Sequence, residues 1–190
     1  MSTKVTTGKV RFSFCHLFEP QPSKDGGKDK YGVTLLIPKS DKDTLAKFKA
    51  AIDEAATRYR EKNGPKSLPA KFNTTLHDGD GVRESGEPYG DECKGCYVIT
   101  ATTQKKPVCY DKFKNEIDDP DEIYSGCYGR AVINFSGYNY SGKKGVSAYL
   151  VSVMKLHDGE QLGGGARATA DDYDDDYEDE YDDDLEGLIG

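Results

Sequence analysis

The sequence predicts a mainly β domain with one inserted helix, a small antiparallel barrel or sandwich, followed by an acidic tail that does not fold. Three observations carry this. Apolar and polar residues alternate at period two in five or so short segments, which is the mark of half-buried strands. One stretch alone, about residues 40–62, changes to helical spacing. The charge is also divided: all 26 Lys and Arg precede residue 171, against 22 of the 34 acids, so residues 1–170 carry +4 and residues 171–190 carry −12.

Val5 to Phe14 reads as the first strand, with Val10, Phe12 and Phe14 facing one way and Lys9, Arg11 and Ser13 the other. Residues 23–30 (SKDGGKDK) form a flexible basic connection. Tyr31, Val33, Leu35 and Ile37 alternate through a second strand that Pro38 ends. Ser40 or Asp41 then caps a helix running to about Lys62. Its apolar stripe is Leu45, Phe48, Ala51, Ile52, Ala55, Ala56 and Tyr59, and Gly64 is placed for a left-handed C-terminal cap. Residues 66–95 are rich in turn signals. Strands resume at Cys96–Thr103, Val108–Tyr110, within Tyr124–Tyr140 and, after a turn at 141–145, at Val146–Leu156. Leu76-His77-Asp78-Gly79-Asp80 and Leu156-His157-Asp158-Gly159-Glu160 echo each other, and read as two Asp-Gly turns leaving strands. The division expected is a folded domain over 1–160, a Gly-rich linker over 161–170 and the disordered tail over 171–190. A five-stranded oligonucleotide/oligosaccharide-binding (OB) barrel fits the pattern, but strand counting alone does not separate it from other small β folds.

Several classes of function fall away. No apolar run approaches the ~20 residues of a membrane helix, and the first ten residues hold no apolar signal core. Five cysteines at irregular spacing do not make a disulfide framework, which places the expected chain in a reducing cytoplasm. Phosphate-loop, zinc-protease and nucleophile-elbow motifs are missing. Cys93 and Cys96 form one CxxC pair, half of what a structural zinc needs, so neither metal nor cofactor is expected. Asp118, Asp119, Asp121 and Glu122 lack a partner nucleophile and read as a solvated turn; no enzyme is expected.

The remaining signal is aromatic residues beside bases. Each unpaired nucleobase offers a face to stack on, and each phosphate attracts a cation. The stacking candidates are Tyr31, Tyr97, Tyr110, Phe113, Tyr138 and Tyr140; the phosphate candidates are Lys30, Lys105, Lys106, Lys112, Arg130, Lys143 and Lys144. Stacking and phosphate contacts tolerate any sequence, so this composition does not separate single-stranded DNA from duplex DNA or RNA. The tail supplies Asp171, Asp172, Asp174, Asp175, Asp176, Glu178, Asp179, Glu180, Asp182, Asp183, Asp184 and Glu186. Tethered to a basic groove, it would compete for that groove at an effective concentration in the mM range. The other reading is a protein whose acidic tail is itself the working part, mimicking DNA or holding basic partners.

Four segments carry a resemblance: Gly8–Phe14 with Leu17-Phe18-Glu19-Pro20; Tyr31–Asp41; Tyr124-Ser125-Gly126-Cys127-Tyr128-Gly129-Arg130-Ala131; and Lys155–Gly164. In this order, over residues 5–165, the chain resembles a family of bacteriophage and prophage single-stranded DNA-binding proteins. The resemblance implies an OB fold and sequence-tolerant binding of single-stranded DNA. It also implies a role in phage replication or recombination in the bacterial host cytoplasm, and a tail that contacts replication proteins. A homodimer is compatible with it. Many tails of this kind end in phenylalanine, whereas this sequence ends Leu188-Ile189-Gly190.

Overall fold

Five strands close on one another in the computed structural model, which describes residues 2–23 and 26–162. They are β2 (Val10–Gln21), β3 (Lys30–Pro38), β6 (Cys96–Thr103), β8 (Tyr128–Tyr140) and β9 (Lys143–His157). β2 pairs antiparallel with β3, and β3 with β6. β6 meets β9 in parallel, β9 runs antiparallel to β8, and β8 returns to β2. This is the Greek-key closure of an OB barrel. Four short strands extend it: β1 (Lys4–Thr6) on β8, β4 (Asn73–Thr74) and β7 (Val108–Tyr110) on β9, and β5 (Leu76–Asp78) on β6. The tail and nearly all of the linker expected from the sequence lie outside the described residues.

Alternation builds the core. Phe12, Leu35 and Ile99 stand in register across β2, β3 and β6 and are fully buried, as are Val33 and Ala101 beside them. Closure needs a glycine at Gly129, where β8 passes β2: a Cβ there would stand 2.2 Å from the Met154 carbonyl oxygen and 2.6 Å from the Phe12 ring.

The helix α1 (Lys42–Asn63) plugs this barrel with the expected stripe. Phe48 is wholly buried and meets Phe135 of β8 edge-on, with ring centroids 5.4 Å apart. Ala51, Ile52, Ala55 and Ala56 bury beside it, and Leu45 and Tyr59 pack at its margins. Asp41 is the cap: its Oδ1 accepts from the Thr44 N–H at 3.1 Å and its Oδ2 from the Thr44 hydroxyl at 2.7 Å. Thr44 Oγ1 in turn accepts from the Gly8 N–H at 2.9 Å, which ties the helix start to the β1–β2 turn. Gly64 ends the helix where expected, but at φ 101°, ψ 153°, an extended positive-φ region open to little but glycine rather than the left-handed helical one.

Three expectations about strands change. The turn expected over 141–145 is only Ser141 and Gly142, because Lys143 already pairs with Tyr140 at the start of β9. The single strand expected over Val5–Phe14 is two strands, β1 and β2, and β2 continues to Gln21. Its alternation also breaks: the Phe14 ring, assigned to the core with Val10 and Phe12, is 57% exposed at φ 46°. A register shift between Ser13 and His16 marks a bulge, after which Leu17 takes the inward place.

Candidate nucleic-acid interface

The side of the β2–β3–β6 sheet turned away from the core carries three rows in register. They are Arg11–Leu36–Val98, Ser13–Thr34–Thr100 and His16–Gly32–Thr102. The middle and last rows are short side chains apart from His16, and the Thr34 and Thr100 hydroxyls lie 3.0 Å apart. Partial burial holds the His16 imidazole below its ordinary pKa, so it is neutral at pH 7 and adds no charge. In OB barrels this strand face and the loops flanking it are where oligonucleotides lie.

The Arg11 row is roofed. Leu36 and Val98 pack with Cys93, and Tyr89, Cys96 and Leu162 close over them. Leu162 is held there by its own N–H donating to the Ser125 carbonyl at 2.8 Å. Arg11 donates from Nη2 to the Glu160 carbonyl at 2.7 Å and from Nε to the Gly126 carbonyl at 3.1 Å. The Tyr124 hydroxyl bonds the Gly159 backbone on both its N–H and its carbonyl. The described chain therefore leaves the barrel on the same sheet face as the strip of small side chains.

The thirteen candidates chosen from sequence fall into three groups and one outlier. Lys30 and Tyr31 open β3, and Lys105 and Lys106 follow the paired end of β6, since Tyr31 stands opposite Thr103. Lys106 sets its ammonium 5.5 Å from the ring centre of Phe18, a residue composition did not single out. Tyr110, Lys112, Phe113 and Arg130 lie around β7 and the start of β8. There Tyr110 and Arg130 line one cavity of about 340 Å³ with Met154 and Val132. Phe113 is 73% exposed at a turn built on Asp111, whose Oδ1 accepts from the N–H of Phe113 and of Asn115. The Lys112 ammonium lies 5.1 Å from the Phe113 ring centre. Tyr138, Tyr140, Lys143 and Lys144 sit on the β8–β9 hairpin, with Tyr140 65% exposed and Tyr138 half-buried.

Tyr97 is the outlier. It stands opposite Ile37, at the far end of the β3–β6 ladder from Tyr31. It keeps the inward register of Ile99 and Ala101, as Tyr31 keeps that of Val33 and Leu35, and both rings are half-buried. Over Tyr97 lies the Lys39 ammonium, 5.2 Å from the ring centre and 2.7 Å from both Asp78 and Asp80. That pairing raises the lysine pKa and holds both carboxylates below their usual range, so the cation is already neutralised.

Lys94, Lys155 and Arg58 pair with Asp91, Asp158 and Glu54. None of the seven phosphate candidates makes an ion pair with a carboxylate among the described residues. Their charge is available to a ligand. Arg130 alone is partly committed, donating from Nε to the Thr7 carbonyl at 2.8 Å.

Among the described residues no cluster of three or more His, Cys, Asp or Glu is placed to hold a metal ion. Burial raises the pKa of all five thiols, Cys15 up to about 12 and Cys109 up to about 11. Thiolate is scarce at pH 8 in such sites. A disulfide reagent at that pH is therefore expected to label the folded protein slowly, and all five cysteines quickly once it is unfolded in guanidinium. Fast labelling of the folded protein would contradict the packing. Among the described residues no helix is long and apolar enough to cross a membrane.

The family described as Enterobacter phage Enc34, ssDNA-binding protein, matches residues 3–185. The single-stranded DNA-binding protein from bacteriophage Enc34, solved in complex with ssDNA, is 31% identical with a TM-score of 0.68, over 85% of this chain and 90% of that one. Protein p50 of Acyrthosiphon pisum secondary endosymbiont phage 1 is 32% identical over 174 residues, 90% of this chain and 92% of its own length. The T7 bacteriophage single-stranded DNA-binding protein gp2.5 shares the fold at a TM-score of 0.57, covering 87% of this chain and 98% of that one at 15% identity.

Proposed function

The chain belongs to the family of the Enterobacter phage Enc34 ssDNA-binding protein, and from that premise we propose that it binds single-stranded DNA without sequence preference. The observation that carries the reading is the Enc34 relative solved with ssDNA, similar over 85% of this chain. The unpaired cations flanking an OB barrel support it. The strand would lie along the small-residue strip of β2, β3 and β6, with Lys30, Lys105 and Lys106 taking phosphates at its end. Phe113 with Lys112, and Tyr138 and Tyr140 with Lys143 and Lys144, are proposed as outlying arms that stack bases and neutralise the backbone. Tyr31, Tyr97, Tyr110 and Arg130 complete the proposed set, Tyr31 and Tyr97 as half-buried rings at the two ends of the sheet.

The same reading places the protein in phage DNA replication or recombination, in the host cytoplasm, as a binder with no chemical step. Its domain is residues 1–160. The linker over 161–170 and the acidic tail over 171–190 would modulate DNA binding and offer replication proteins an anionic contact. A homodimer belongs to the same reading and is measured by sedimentation.

Fluorescence anisotropy of labelled oligonucleotides tests it. Single strands are expected to bind more tightly than duplex, with affinity falling steeply with salt. Changing Tyr138 and Tyr140 together to alanine is expected to weaken single-strand binding by about tenfold or more, since stacking is worth about 1–3 kcal/mol per base. Unchanged affinity in a folded double variant removes the hairpin from the site. Failure of the unaltered protein to bind any single strand at low salt removes the function.

A further inference from the structure

Phe14 is the large apolar residue of β2 whose sequence pattern and structure disagree. Its spacing from Val10 and Phe12 assigns it to the core, yet its ring is 57% exposed. The backbone there is left-handed, φ 46°, a conformation that bulky L-residues rarely adopt. Nothing in the core requires the distortion to carry an aromatic ring. Leu17 fills the inward place after the bulge at 2% exposure, and the Cys15 N–H on the bulge is held by the Ser125 hydroxyl at 3.3 Å. A glycine would take the same backbone without strain. Bulges re-aim side chains at functional edges, and stored backbone strain concentrates where a ligand is held.

Its surroundings indicate the ligand. Phe14 lies between Ser13 and His16, whose partners on β3 and β6 are Thr34, Gly32, Thr100 and Thr102, a strip of short side chains in which Ser13 and Thr34 are buried and Thr100 is exposed. Phe18 with the Lys106 ammonium over it lies on the same strand. A neutral strip with cations at its end suits a nucleobase stacked above and a phosphate held beside it. We propose that Phe14 is a base-stacking platform, held outward by the β2 bulge, for single-stranded DNA on the β2–β3–β6 face. This inference rests on the proposed function and deepens it to one residue.

The protein has no tryptophan, so Phe14→Trp places a single reporter at the site. Its fluorescence is expected to be quenched on adding oligo(dT), saturating at the concentrations that saturate anisotropy. Phe14→Ala is expected to bind about tenfold to a hundredfold more weakly, which is the loss of one stacked base. The slope of affinity against salt should not change, because no phosphate contact is removed. Phe14→Tyr should retain binding and Phe14→Leu should not, since leucine supplies bulk without a π-face. Phe14→Gly should melt no lower than the unaltered protein while binding as weakly as the alanine variant. If the unaltered protein binds single strands and Phe14→Ala binds equally well, the platform is overturned while the function stands. If Phe14→Ala changes only the sedimenting mass, the ring serves self-association and the proposal is likewise overturned. If the unaltered protein binds no single strand, the function itself has failed.

Discussion

Phe48→Ala is expected to lower stability by about 3–5 kcal/mol. The ring is fully buried where α1 meets the barrel, in edge-on contact with Phe135. Its neighbours Ala51, Ala55 and Ala56 are already minimal side chains and cannot swell into the space. The loss therefore combines the transfer of an aromatic ring with a cavity that collapses poorly. In a chain of this size that shifts the melting temperature by on the order of 10 °C. Urea unfolding followed by circular dichroism reads it directly, with Phe48→Leu as a milder companion. A loss below about 1 kcal/mol would mean that the helix does not plug the barrel as described. DNA affinity at a temperature where the variant is folded should be unaffected, because Phe48 faces the core.

Deletion of residues 171–190 is expected to tighten single-strand binding by about tenfold at low salt. That figure follows from an effective tail concentration in the mM range set against a non-specific electrostatic affinity of about 0.1 mM. The twelve carboxylates carry no compensating base, and the seven candidate cations lack carboxylate partners among the described residues. Leu162, nine residues before Asp171, packs on the face that carries the small-residue strip. The gain should shrink as salt rises, because screening weakens tail and DNA alike. Replacing the tail aspartates with asparagine at constant length should reproduce the gain, which separates charge from bulk. Equal affinities for the full chain and the truncation at low salt would leave the tail to protein partners alone.

The elements legible in the sequence were those with strong local signals. The α1 stripe, its cap at Asp41 and its stop at Gly64 follow from helical spacing and capping chemistry, and they stand where expected. β7 at Val108–Tyr110 also matches, while the hairpin turn after Tyr140 stands at the expected place but is shorter than the expected 141–145. The bulge at Phe14 was not legible, because alternation continues in sequence while the backbone interrupts it. Phe18 was missed because its lysine partner, Lys106, is remote in the chain. Lys39 and Lys106 look alike in sequence, yet Lys39 is neutralised by two aspartates some forty residues away.

The sequence by itself determined the class of domain, the helix, the division between a basic body and an acidic tail, and the supply of rings and cations. These follow from composition and local periodicity. Tertiary structure alone decided which cations are paired with carboxylates, which rings face outward and on which sheet face Leu162 packs. Those outcomes depend on closure of the sheet, which brings β2 against β8 and seats Leu162 on β3 and β6. Burial and charge pairing act through space, and the order of residues along the chain does not contain those distances.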